Sequence, residues 1–322
     1  GSSPTVRDRI GMVKSAGQIK MKDNHQDGMN RTYELCWEVI NAAEVAEKAK
    51  CEAILLSNPE TLKNLLGPSV TLDAYRGTRI NYLIPIIVIN PIEHCNTVNH
   101  GRWLLQRDLA KFRQIKKPAQ SFSFSVFDKE EDFPVLQRVM DRALIISFDI
   151  ETDEVRRITC ISFACLSPEG IVFIGVIPFV DFGVNHYVSP YLYACALSTM
   201  RSILGNSVPK LAFNGIYDST YLLSYGAPPC NYSFDSMVLH WAEWSELPKS
   251  LDFVSSLECY DYFQWKGEAD TAKQGKDIQA YWAYCGKDSW YTLRCLLSQM
   301  ERLNPTDYAV SNYLKTFKLQ YP

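Results

Sequence analysis

The sequence predicts an α/β protein: a mixed sheet with an antiparallel meander, flanked by helices, behind a smaller N-terminal α/β domain. Three observations predict it. Apolar runs follow one another closely as ALIISFDIE, RRITCISFACL and GIVFIGVIPF between residues 143 and 179. Turn signals separate them, at Thr152-Asp153 and at Ser167-Pro168-Glu169-Gly170, and connections that short join antiparallel neighbours. A helix-rich stretch follows to about residue 303, and an alternation of helix and strand with a different composition precedes.

The elements can be justified in order. Residues 4–30 are polar and aperiodic and read as an arm, after a Gly1-Ser2-Ser3 start that resembles a tag remnant. YELCWEVINAAEVAEKAK, 33–50, has helical spacing and is rich in Ala and Glu. CEAILLS is a short buried strand. PETLKNLLG is a helix with Asn58 as its cap and Gly67 as its stop. LIPIIVIN, 83–90, is a further strand, and GRWLLQRDLAKFRQIKK, 101–117, an amphipathic helix with a basic tail. Pro, Ser and charges mix in 118–134, where a linker is expected, with VLQRVMDR as a short helix. Domain limits follow: 1–30 remnant and arm, 31–120 first domain, 121–140 linker, 141–305 second domain, 306–322 onward connection. Within the second domain, helices are expected at about 189–204, 216–225, 233–244, 249–258 and 276–303, with a short strand KLAFN at 210–214.

Composition narrows the class. The chain has 322 residues, 47% hydrophobic and 21% charged, with net charge −3, ordinary for a globular protein. That charge neither demands nor forbids a nucleic-acid partner. No apolar run approaches the roughly 18 residues that span a bilayer, so no membrane partner is expected. The ten cysteines include no CxxC pair. Several sit inside apolar runs, the pattern of reduced, buried thiols in a reducing compartment, and neither a zinc nor a disulfide framework is supported.

Chemistry concentrates in carboxylates. Asp149 and Glu151 lie two apart on a strand and therefore project together. Two unpaired acids that close repel, whereas a divalent cation makes the pair favourable. A solvated strand end explains the same residues without function. KLAFNGIYDSTYLL runs strand, turn at Asn214-Gly215, then a helix with Asp218 in its first turn. The helix dipole alone also favours an acid there. Tyr284 and Asp288 are four apart on a helix that is otherwise apolar on that face. An inward acid there wants a counter-charge, supplied by a metal or by a nearby Lys or Arg. His240 lacks a motif partner and reads as a packing residue.

Taken together, FDIET, then N-G-x-x-D, then Y-x-x-x-D resembles the three motifs of the DEDD-type 3′→5′ exonucleases with the tyrosine variant, an RNase H-like exonuclease fold. The stretch 234–260 resembles the connecting helices in the proofreading domain of family A DNA polymerases. The resemblance implies two Mg²⁺ (or Mn²⁺) ions held by Asp149, Glu151, Asp218 and Asp288, with Tyr284 orienting the attacking water. It implies Thr152 and Asn214 near the terminal nucleotide. Phe213, Tyr217 and Tyr221 are available for base stacking, though core packing explains most aromatics in such a chain. The expected partners are DNA (a single-stranded 3′ end on a primer-template), a C-terminal polymerase domain and a replisome accessory factor. The setting implied is cytoplasmic, in the host cell if the source is viral. The alternatives are a free-standing exonuclease acting on RNA and a catalytically silent scaffold that holds DNA.

Residues 33–117 resemble the C-terminal half of the uracil-DNA glycosylase superfamily, through AILLSNPETLKNLLG, the YRG at 75–77, IPIIVINP and GRWLLQRDLAKF. The family's second motif begins His-Pro. Here the pair is Asn90-Pro91, with His94 displaced, so a degenerate domain without glycosylase activity is expected.

Overall fold

The computed structural model describes residues 53–81, 84–97 and 99–320. The expected arm and the helix at 33–50 lie outside the described residues. Two compact units divide the chain: one runs to Gln120 and includes Cys259–Gln264, the other holds Ser121–Glu258 and the residues from Trp265 on.

In the first unit, strand β1 (Ile54–Leu56) leads to helix α1 (Pro59–Leu66). The Asn58 side chain accepts from Thr61 N–H at 2.9 Å, and Gly67 ends the helix at φ 110°. The short helix α2 (Leu72–Tyr75) and strands β2 (Arg79–Ile80) and β3 (Ile86–Val88) follow. The sheet order is β1-β3-β2, with β1 parallel and β2 antiparallel to β3. Leu62 and Val70 pack with Ile54, Leu56, Ile86 and Val88 as its core. Helix α3 (Gly101–Ala110) is shorter than expected and tightens into a 3₁₀ turn at Lys111–Gln114. Lys111 is the reason: it turns inward, its Nζ donating to the Gly77 carbonyl at 2.5 Å beside the buried Arg76–Asp108 ion pair (2.6 Å). Burial, against the pull of Asp108, lowers that ammonium to about 8. Of the basic tail, Arg113, Lys116 and Lys117 face solvent.

The second unit carries the expected mixed sheet. Strand β4 (Ser125–Val126) and helix α4 (Phe133–Asp141) precede the meander β5 (Ile145–Thr152), β6 (Ile158–Leu166) and β7 (Val172–Pro178). A small hairpin pairs β8 (Val180–Asp181) with β9 (Val184–Asn185). Helix α5 (Pro190–Gly205), β10 (Lys210–Ala212), helix α6 (Ile216–Ser224) and β11 (Tyr232–Asp235) follow. The remainder is helical: α7 (Ser236–Glu243), α8 (Leu251–Glu258), α9 (Glu268–Gly275), α10 (Ile278–Arg302) and α11 (Tyr308–Gln320).

The sheet order is β11-β10-β5-β6-β7-β4. Strands β5, β6 and β7 are antiparallel neighbours, β10 is parallel to β5 and to β11, and β4 is parallel to β7. Several elements differ from expectation, among them the β8–β9 hairpin and helix α11, which lies in the stretch read as an onward connection. The helix expected from 233 starts as an edge strand, because Asp235 caps the helix instead of joining it. Ser125–Val126, inside the stretch read as linker, forms the other edge. Helix α9 was hidden by its polar sequence, EADTAKQG.

Period-two alternation gives the sheet two different faces. Ile146, Phe148 and Ile150 point into a core with Leu136 and Met140 of α4 and Met200 and Ile203 of α5. The opposite face of β6 and β7 meets α10, where Cys160 and Val176 pack with Tyr281, Trp282 and Cys285. Asp149 and Glu151, out of phase with the isoleucines, belong to this second face.

Gly175 shows how closely the first face is packed. A Cβ there would lie 2.7 Å from Leu136 Cδ1 and 3.1 Å from the Phe127 ring. Gly175→Val should therefore lower the unfolding free energy by about 1–3 kcal/mol through overpacking. Urea denaturation reads it, and an unchanged midpoint would show that α4 has room to move.

Candidate active site

β5 ends at the site, and its last residues are partly buried. Asp149 and Glu151 project toward α10, with ligand oxygens that lie within 4.8 Å of each other and of Cys285 Sγ. Asp218 approaches from α6: one carboxylate oxygen accepts from the Ile150 N–H at 3.1 Å, between the two strand acids in sequence. The turn before α6 aims it. Asn214 adopts a left-handed φ of 59°, which Asn tolerates better than most residues. Gly215 follows where a Cβ would strike Ala212 and the Tyr232 hydroxyl.

Asp235, which sequence reasoning missed, holds that turn. Its carboxylate accepts from Asn214 N–H (3.2 Å), Gly215 N–H (3.0 Å), Met237 N–H (2.9 Å), Val238 N–H (3.1 Å) and the Tyr232 hydroxyl (2.8 Å). The D-S-M-V run after a strand is a helix-cap signal, which could have flagged the residue.

Asp288 is buried on α10, but its oxygens are committed elsewhere. Trp265 Nε1 donates to Oδ1 at 2.5 Å, and Lys266 Nζ donates to Oδ2 at 2.7 Å. The same ammonium donates to Tyr284 Oη at 3.0 Å, leaving the phenol's own O–H free to donate. Trp265 is itself fixed by stacking on Tyr291, with ring centroids 4.0 Å apart and planes at 13°. Sequence spacing could not reveal either residue, since each meets Asp288 only through the fold. Thr152 Oγ1 is 3.0 Å from Tyr217 Oη at the exposed strand end. Asn214 uses its backbone on Asp235. Tyr217 and Tyr221 pair with centroids 4.8 Å apart. His240 is a packing residue, its Nε2 3.1 Å from the Pro248 carbonyl.

The fold thus brings Asp149, Glu151 and Asp218 together. Asp288 is close enough to act on all three electrostatically, while an ammonium holds it. Burial raises all three of these acids, and mutual repulsion adds to it. Glu151 is pushed up to about 8, first by burial and then by Asp288, against Lys266. Asp218 rises to about 7 through burial, although the Ile150 N–H opposes the shift. Asp149 rises well above the carboxylate range through burial, then Asp288, Asp218 and Glu151. Burial and Asp288 also raise Tyr284, so it stays a phenol at neutral pH. Burial would lower Lys266, but Asp288 and Tyr284 outweigh it and hold the ammonium charged. Four oxygen-donor acids with one ammonium standing among them fit hard divalent cations.

No protein-family model matches the sequence, and no curated protein matches it. Among solved structures, Trypanosoma brucei RNase D aligns at 17% identity over 61% of this chain and 71% of that one, with a TM-score of 0.47. Escherichia coli RNase D, described as an exoribonuclease involved in structured RNA processing, aligns at 18% over 62% and 50%, with a TM-score of 0.44. The exonuclease domain of Nibbler from Aedes aegypti aligns at 13% over 61% and 100%, with a TM-score of 0.43. At such identity the likeness concerns the fold alone. Among the described residues no helix is long and apolar enough to cross a membrane.

The raised acids set a pH dependence. The metal-free fold keeps protons that the unfolded chain releases above about pH 4.5. Their stabilising contribution is full below that pH and is lost as pH rises through about 7 to 8. The melting temperature in chelator should therefore fall between about pH 5.5 and pH 8.5. Excess Mg²⁺ should raise it mainly at the upper end; an equal Mg²⁺ effect at both pH values would contradict the assignment. Asp235→Ala leaves buried N–H groups unpaired and should cost about 2–4 kcal/mol, read by denaturant unfolding, with Asp235→Asn less harmful.

Proposed function

We propose that the second unit is a divalent-metal-dependent 3′→5′ exonuclease acting on single-stranded nucleic-acid ends. The observation that carries this reading is the convergence of Asp149, Glu151 and Asp218 at the end of one strand, facing the helix of Tyr284 and Asp288. A stably folded site has no structural reason to gather acids that raise one another's proton affinity.

Asp149, Glu151, Asp218 and Asp288 would hold two Mg²⁺ or Mn²⁺ ions. When bound, such ions lower the pKa of a water and neutralise the leaving 3′-oxygen of a phosphodiester. The chain's own groups do the rest. Glu151 and the neutral Tyr284 phenol orient the attacking water, Glu151 by accepting and Tyr284 by donating. Lys266, which pairs with Asp288 Oδ2, would supply a positive charge for the phosphodiester. Thr152, Asn214 and the Tyr217 ring border the path to the terminal nucleotide.

RNA forms the first arm of the test, because the E. coli RNase D above is described as an exoribonuclease; DNA forms the second. A proofreading role within a family A DNA polymerase, with a polymerase domain beyond the present sequence, is the narrower form of the DNA arm. The first unit, with Asn90-Pro91 after β3 and no His-Pro pair, would then serve as a degenerate glycosylase-like spacer or docking domain.

Asp149→Ala should slow hydrolysis at least a hundredfold on 5′-labelled oligonucleotides with Mg²⁺, while far-ultraviolet circular dichroism stays unchanged. A ladder shortening from the 3′ end is expected, stopped by chelator. Equal rates for variant and parent on both RNA and DNA would remove the proposal.

A further inference from the structure

We infer that Cys285 gives this centre a second, thiophilic mode of metal binding: Asp149, Glu151 and Cys285 form a site for a zinc-class ion. Their three ligand atoms lie within 4.8 Å of one another. Cys285 is fully buried on α10, with Sγ 3.8 Å from the Asp149 carbonyl oxygen. Its position is built. Ser162 Oγ of β6 donates to the Cys285 carbonyl at 2.7 Å. The next residue is Gly286, where even a Cβ would come within 3.3 Å of Phe122 and 3.4 Å of Ile174. The missing side chain lets α10 lie close to the sheet and carries the thiol to the strand acids.

The donor set separates two kinds of ion. Mg²⁺ takes hard oxygen donors and gains little from sulfur. Zinc and cadmium take thiolate and carboxylate together. A tetrahedral zinc ion with Zn–S about 2.3 Å and Zn–O about 2.0–2.2 Å separates its ligands by about 3.4–3.7 Å, so binding would draw the three ligand atoms together from within 4.8 Å. The thiol proton passes to solvent as the ion binds. Asp288 is not needed, since Trp265 and Lys266 already hold it. Three protein ligands leave one position open. On the nuclease reading, zinc here would occupy both strand acids and inhibit; the binding itself does not depend on that reading.

Cobalt(II) is the probe for the zinc-class ion, used with the whole chain under reducing conditions. A sulfur-to-cobalt charge-transfer band should saturate near one equivalent, vanish on adding equimolar Zn²⁺, and persist in millimolar Mg²⁺. Cys285→Ser should abolish the band. If that variant does not fold, Asp149→Asn and Glu151→Gln, which leave the thiol and the helix packing in place, should each weaken cobalt binding at least tenfold. No band in the parent, an undiminished band in Cys285→Ser, or unchanged affinity in both carboxylate variants would overturn the inference. The band is read without turnover. A chain that shows the band but digests nothing rejects only the nuclease reading, and an active chain without the band rejects only this one.

Discussion

Repulsion among carboxylates gathered beside the end of β5, some buried and some partly so, is the constraint on which the candidate site depends. Asp149, Glu151 and Asp218 are held where burial and neighbouring charge raise their proton affinity. Such an arrangement is unfavourable by itself, so the surrounding structure must impose it. β5 does so because its other face is locked into the core by Ile146, Phe148 and Ile150. A one-residue slip would turn those apolar side chains to the wrong side of the sheet. The acids are thus fixed by the register of residues whose side chains pack on the opposite face of the sheet.

The same logic explains the outer supports. Asp218 cannot leave the cluster without moving the Asn214-Gly215 turn, and Asp235 ties that turn to the first N–H groups of α7. One buried carboxylate therefore both caps a helix and aims another carboxylate on a different helix. On the far side, α10 brings Tyr284, Cys285 and Asp288 to the sheet as one rigid body. At Gly286 the helix lies close enough to the sheet that a Cβ would sit 3.3 Å from Phe122 and 3.4 Å from Ile174. The repulsion is offset in part by ammonium groups, that of Lys266 acting on Asp149 and those of Lys266 and Lys273 on Glu151.

Local pattern carried much of this into the sequence. The meander was legible because three apolar runs were joined by turn residues, and the Asn58 cap and Gly67 stop because their chemistry is specific to helix ends. The spacing of Asp149 and Glu151 on a strand, and of Tyr284 and Asp288 on a helix, places each pair on one face, as the structure has them. What sequence could not carry was partnership at a distance. Trp265 and Lys266 sit in a stretch, YFQWKGEAD, whose composition announces neither strand nor helix. They matter only because stacking on Tyr291 delivers them to Asp288. The β4 and β11 edges were missed for a related reason: two to four residues paired on one side leave too little periodicity to read.

Lys266 also explains why the expected four-acid constellation is not complete as it stands. An ammonium and a divalent ion compete for the same oxygen, and the monovalent, flexible one is at hand whenever the chain folds. Its hydrogen bonds to Asp288 and to the Tyr284 hydroxyl bridge two residues one turn apart on α10. The lysine therefore keeps Asp288 and Tyr284 in register with each other. Among the described residues no ammonium hydrogen-bonds to either strand acid; burial raises the proton affinity of both, and the Cys285 Sγ lies within 4.8 Å of their ligand oxygens. Asp149 and Glu151 are thus the part of the site with most to gain from a cation, because their raised proton affinity is the cost a bound positive charge would offset.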